Sequence, residues 1–294
     1  MNPFPLLTTT ILSGVLAIGL FGNMALAADV DMGVMPAVSS INGKIEFGGG
    51  TADASGLSNN EVFYGAASIS IPLGDMFGLQ ADFAAKDMFN DTAVGGNLHL
   101  FTRDPNSHLF GVIAGYGDGG KANAGWIGGE AEFYLDRVTV EASAGYINVD
   151  PQNGGKKDKF FGFADVAFYP VDNLRLALGG SSVAGFESGH ATAEYMLGSM
   201  PLSLKLKGEV GEDSFAAVTA GVSFYFGGNQ SDKSLIRRHR EDDPRNKVLD
   251  IFGAGAKAFA GGTAAAGTPP PPPPPVCPEG SVFSDASGEC EFPT

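Results

Sequence analysis

Between about residue 41 and residue 227 the chain repeats one pattern, short stretches in which an apolar side chain alternates with a small or polar one. Leu202, Ser203, Leu204, Lys205, Leu206, Lys207, Gly208, Glu209 and Val210 show it plainly. Successive side chains of a strand point to opposite faces, so this stretch has a leucine–valine face and a serine–lysine–glutamate face. The alternation predicts twelve strands, at about 41–50, 62–73, 77–87, 92–102, 108–117, 124–135, 137–148, 160–169, 173–182, 189–198, 201–211 and 214–227. Short turns are expected at 72–75, 103–106, 136–137, 170–173 and 199–201. Longer connections rich in Gly, Asp and Asn fall at 50–61, 87–91, 117–124, 149–159, 182–189 and 211–213. Alternating short and long connections with an even strand count predict an all-β fold: a closed, antiparallel, up-and-down transmembrane barrel, its apolar faces against lipid. In a secreted soluble β domain the same faces would turn inward onto a shared core.

Aromatic placement favours the membrane barrel. Phe77, Phe133, Phe168, Phe224 and Phe226 share the apolar face beside the short turns, and Phe47, Phe63, Phe83 and Tyr146 share it toward the other strand ends. Two belts suit rings that meet two membrane interfaces. A sandwich would gather its aromatics in mid-core.

The N-terminus sets the compartment. Residues 6–27 are apolar and uncharged and end in Ala25-Leu26-Ala27, the small-x-small pattern of a signal-peptidase site. Residues 1–27 therefore read as a signal peptide and 28–40 as a short periplasmic lead-in to the barrel at 41–227. Later in the chain no run of about 18 apolar residues offers a helical span. The net charge of −15 lies wholly beyond residue 27, with 22 acidic against 11 basic residues between 41 and 227. Nucleic-acid binding, which needs clustered Lys and Arg, is excluded on that balance. Forty-three glycines suit tight turns and close strand packing.

Residues 36–227 resemble the porin-like outer-membrane β-barrel proteins of Gram-negative bacteria. The resemblance rests on residues 36–44, on Ile71-Pro72-Leu73-Gly74 with Phe77-Gly78-Leu79-Gln80, and on the ending Val222-Ser223-Phe224-Tyr225-Phe226. It implies an outer-membrane location in contact with lipid, both termini in the periplasm, and a terminal strand, Val222 to Phe226, read by the barrel-assembly machinery. In such proteins that strand usually ends the chain; here the signal is internal. No cofactor or metal is implied.

By alternation, Lys44, Glu46, Asp82, Glu130, Glu132, Glu141, Asp165, Arg175, Glu194, Lys205, Lys207 and Glu209 should line the lumen, with His99 and His190. Two jobs stay open for them. They could pair and fill a structural barrel, or flank water in a narrow pore for small hydrophilic, mildly cation-preferred solutes. In the pore, Glu130, Glu132, Glu141 and Asp165 would form an acidic wall facing Lys44, Arg175, Lys205 and Lys207. A hydrolase is the third reading, with His190, Thr192 and Glu194 on one strand face as its group. No loop looks long enough to fold inward, so any plug should come from strand side chains.

Composition changes after Gly227. Residues 228–268 read as a solvated linker, first charged, with a short helix capped by Ser231 or Asp232, then Gly/Ala-rich. Seven prolines at 269–275 should form a polyproline II rod of ~20 Å. The module 276–294 holds the only cysteines, Cys277 and Cys290, whose pairing in an oxidising periplasm would contribute ~3 kcal/mol. The expected role of this flexible Pro-rich extension is contact with peptidoglycan or a periplasmic protein; a stapled tail without a partner is the other reading.

Overall fold

A computed structural model describes residues 35–55, 61–152, 156–198, 200–228, 233–242, 244–255, 282–284 and 289–291. The strands are β1 (Asn42–Asp53), β2 (Glu61–Leu73), β3 (Phe77–Met88), β4 (Asp91–Asp104), β5 (His108–Asp118), β6 (Ala122–Leu135), β7 (Val138–Pro151), β8 (Lys157–Val171), β9 (Leu174–Val183), β10 (Phe186–Met196), β11 (Leu202–Gly211) and β12 (Ala216–Gly227). Each pairs with its sequence neighbours, and β12 returns to β1, closing the barrel. The closing seam is antiparallel and in register from Asn42 opposite Gly227 to Asp53 opposite Ala216. Closure leaves no unpaired strand edge, as a sheet in lipid requires.

Alternation decides which side chains face which way. Leu178, Phe160, Ile127, Val210 and Phe47 are exposed on the outside, Leu178 by 70%. His99, Gln80, Ser70, Ser203 and Ser223 are fully buried inside. Polar within and greasy without is the polarity of an outer-membrane barrel, inverted from that of a soluble one. Phe63, Phe83, Phe77, Phe133, Phe168, Phe224 and Tyr146 all lie on the outer surface, joined by Tyr116, Phe110, Phe160 and Tyr195.

The turns differ from expectation at two places. The connections expected at 87–91 and 182–189 are two-residue turns, Phe89-Asn90 and Ala184-Gly185. All four residues have left-handed φ, between 55° and 89°, the twist that joins tightly paired antiparallel strands. Phenylalanine and alanine carry no turn signal, which hid them in the sequence. The rim where β1 starts and β12 ends carries turns such as 136–137 and 172–173; the opposite rim carries 89–90, 119–121, 184–185 and 212–215. We call these the turn rim and the loop rim.

Beyond the barrel the chain forms two short helices, α1 (Leu235–Glu241) and α2 (Val248–Ala254), and a two-stranded hairpin of β13 (Val282–Ser284) and β14 (Glu289–Glu291). Helix α1 follows Ser234, which makes no side-chain capping bond. The expected signal peptide, the caps Ser231 and Asp232, the polyproline run and Cys277 lie outside the described residues. Cys290 is the middle residue of β14, opposite Phe283.

Candidate functional site: the occupied lumen

The barrel is not empty, and what fills it is its own chain. β12 ends at Gly227, and Gly227 and the following Gly228 have φ of 71° and 82°. A Cβ on Gly227 would lie 2.5 Å from the Ile41 carbonyl oxygen and 2.9 Å from the Asn42 Cα, so only glycine makes this bend. The Gly228 amide then donates to Ile41 O at 3.0 Å. Where the described chain resumes, at Lys233, it is buried inside the barrel mouth. The solvated linker expected here is, over 233–242 and 244–255, a largely buried plug.

Helix α1 lies at the turn rim. The Ile236 amide donates to Asp172 O at 3.0 Å and the Leu235 amide to Asn173 Oδ1 at 3.1 Å. Arg240 Nη2 donates to Val138 O at 3.0 Å, and its guanidinium stands 5.2 Å from the Tyr134 ring centre. Arg238 packs likewise over Tyr225 at 5.4 Å. These cation–π contacts give the two guanidinium groups a favourable seat against the inner aromatic rings. The stretch before β1 shares the same mouth. Val38 is buried against Phe101, Leu109 and Tyr134, and the Ser39 amide donates to Glu241 O at 3.0 Å.

From α1 the segment climbs the inner wall. Asn42 Nδ2 donates to Asp242 O, Lys44 Nζ to Pro244 O and Gln80 Nε2 to Pro244 O at 3.1 Å. Asn246 reaches Ser68 Oγ. Helix α2 then packs near the loop rim, where Val248, Ile251 and Phe252 join a cluster with Ile113, Trp126, Ile147 and Phe161. Val248, Ile251 and Phe252 are spaced i, i+3, i+4, one apolar helix face. Phe252 enters a notch, because the atoms nearest to a Cβ on Gly117 would be those of the Phe252 ring, at 2.7 Å, and of the Trp126 ring, at 3.5 Å. The wall is shaped for this ring. The loop-rim mouth has a second apolar patch, Phe89, Phe186 and Phe215, packed edge to face.

All twelve residues predicted for the lumen have side chains inside the barrel, ten of them buried and Lys205 and Lys207 partly so. They are not divided into an acidic and a basic wall. Asp82 and Glu130 flank His99 at 2.8 and 2.9 Å. Glu132 accepts from Tyr134 Oη. Glu141 pairs with Arg175 at 2.7 Å, Lys205 with Glu46, and Lys207 with Glu209 at 3.1 Å. A buried charge needs a partner within reach, so opposite signs settle on one strand or within two strands of each other rather than facing each other across the lumen.

The segment completes this network. Arg245 stands 3.1 Å from Glu141 of β7, 3.1 Å from Asp165 of β8 and 3.1 Å from Asp250 of α2. Lys207 Nζ reaches Asp250 at 3.3 Å. Without Arg245 the wall would hold carboxylates short of a cation. Beside the segment remains a cavity of about 130 Å³, lined by Glu46, Tyr64, Lys86, Glu194, Lys205 and Lys207 among others, room for several waters.

The side chains considered for hydrolysis do not form one group. His190 Nε2 bonds Asp165 at 2.8 Å, Thr192 Oγ1 accepts from Arg175, and Glu194 accepts from Ser203 and Tyr225 at 2.6 Å each. Each is tied to a different partner. Sequence alternation missed the aromatic and cationic inner residues Arg103, Trp126, Tyr134 and Tyr169, and the whole of 233–255. The spacing of Val248, Ile251 and Phe252 was the signal available for the segment.

No known protein-family model matches the sequence, and no curated protein matches it. Among solved structures, the KdgM porin aligns over 63% of this chain and 99% of its own, at 9% identity and a TM-score of 0.48. Outer membrane phospholipase A from Escherichia coli aligns over 69% and 95%, at 12% identity and 0.47. The translocator domain of the autotransporter NalP from Neisseria meningitidis aligns over 64% and 87%, at 10% identity and 0.44. At these identities the likeness concerns the fold alone.

Proposed function

We propose that this protein is a porin-like outer-membrane barrel whose conduit is shut, in its resting form, by its own residues 233–255. The observation that carries this is the joint seating of Arg245 among Glu141, Asp165 and Asp250 and of Phe252 at Gly117. A wall that reserves both a charge site and a ring-shaped notch for one segment is built to be occupied by it. Lipid contacts the outer face, and the strand ending Val222 to Phe226, paired with β1, is the part offered to the barrel-assembly machinery.

Conductance in planar bilayers tests the reading. The folded full chain should give no current steps, and a chain ending at Gly228 should give them. Steady steps from the full chain, or none from a correctly folded truncated chain, would reject a conduit closed by its tail.

The narrow cation-preferring pore is the second reading, favoured by the surplus of acidic over basic residues in the barrel. It places Glu130, Glu132, Glu141 and Asp165 along the ion path once the segment moves. In the truncated chain, Glu130→Gln with Glu132→Gln should then reduce cation preference, and an unchanged reversal potential would remove these two from the path.

A further inference from the structure

The geometry points to a chain threaded through its own barrel, with everything after Gly255 delivered to the loop-rim face, opposite the face where β1 begins and β12 ends. The barrel would thus act as a display conduit for its own Pro-rich, cysteine-bearing C-terminal region, which the sequence alone placed in the periplasm. This goes beyond closure of the conduit: a segment could shut the lumen and still turn back to where it entered.

Four observations carry the inference. First, Gly227 and Gly228 aim the chain inward at the turn rim, through the backbone conformation already described. Second, the partners of the segment rise in step with its sequence. Asp242 meets Asn42, Pro244 meets Lys44, Asp250 meets Lys207, and a Cβ on Gly253 would lie beside Lys86 Nζ and Glu209 Oε2. Lys86 and Glu209 stand two residues from the loop-rim ends of their strands, Met88 and Gly211.

Third, α2 packs among residues of that rim. Its cluster includes Ala122 and Ala124 at the start of β6, Val149 near the end of β7, Phe161 near the start of β8, and Val183 at the end of β9 with the turn residue Ala184 packed against them. Fourth, the spaces described beside the segment are small. The cavity alongside the segment, about 130 Å³, holds waters but not a second pass of polypeptide. At the turn rim the gap among Tyr134, Tyr169, His239 and Arg240 is about 10 Å³, room for about one water. A path through the surrounding lipid would leave backbone N–H and C=O groups unpaired in hydrocarbon. From Gly255, buried at the end of α2 among residues of the loop rim, the loop-rim mouth is the nearer exit.

The experiment compares three placements of one epitope with a protease site in the otherwise native full chain: after Thr294, in the turn at 105–107, and in the connection at 119–121. Intact cells are treated with protease and with antibody, and heat-modifiable gel mobility confirms that each barrel is folded. The expected result is that the epitope after Thr294 is cut and labelled like the one at 119–121 and unlike the one at 105–107. An epitope after Thr294 that behaves like the one at 105–107 overturns the threading and returns the tail to the periplasmic side. Binding of isolated sacculi that depends on residues 256–294, with that same protection in intact cells, would overturn it in favour of a cell-wall contact. Because the reading is sidedness and not current, the result stands whether or not truncation opens the conduit.

Discussion

The barrel wall and the segment inside it meet across one buried lumen, yet they are held by opposite means. In the wall every strand is hydrogen-bonded to two neighbours around a closed ring, and its exposed apolar face is satisfied by lipid. The described segment is two seven-residue helices with irregular chain at 244–247 between them. Helices that short are marginal in isolation, so the segment owes its form to Arg245, to Phe252 and to the contacts of α1 at the turn rim. The difference teaches that a structure which closes a conduit need not share the stability of the conduit. The wall is one cooperative unit in lipid, while the plug is a set of local contacts that can be weakened one at a time.

That separation can be broken from either side. Arg245→Glu would place a fourth carboxylate beside Glu141, Asp165 and Asp250, a change of about 3–5 kcal/mol against the seated segment by the cost of breaking a buried pair. Hydrogen-exchange protection of residues 244–255 should collapse while the denaturant midpoint of the barrel stays put; a midpoint that falls with it would merge the two regions into one. Leu178→Arg acts on the other side, on an outward mid-strand position of β9. It should cost the wall about 2–4 kcal/mol, lowering the midpoint without selective loss of protection in α2.

Gly117→Leu fills the notch for Phe252 and should unseat α2 by about 1–3 kcal/mol. Amide protection of Val248 to Phe252 should drop, with α1 still protected; loss at both helices would show that the plug moves as a single body. Smallest is Lys121→Ala, which removes an exposed ion pair to Asp91 at the loop rim. An effect below about 1 kcal/mol is expected in either region, and a larger one on α2 would reveal a rim contribution to plugging.

The strands were legible because each inward or outward choice repeats every second residue. Leu204, Leu206 and Val210 announce an outer face, and Lys205, Lys207 and Glu209 an inner one, whatever the neighbours do. The plug was not legible for a matching reason. His239 and Arg240 look the same in a sequence whether water or a group on a distant strand satisfies them, and Arg245 is more than a hundred positions from Glu141. The turns at Phe89-Asn90 and Ala184-Gly185 were lost because tight strand pairing, not residue preference, imposes their left-handed backbone.

What the sequence determined by itself was a repeating two-faced ribbon long enough to close on itself, since side-chain direction in a strand is set locally. What only the tertiary structure decided was the fate of the enclosed space. Which charges meet, which ring finds a glycine, and at which mouth the last helix lies all depend on residues brought together by closure. None of those pairings exists until β12 has found β1.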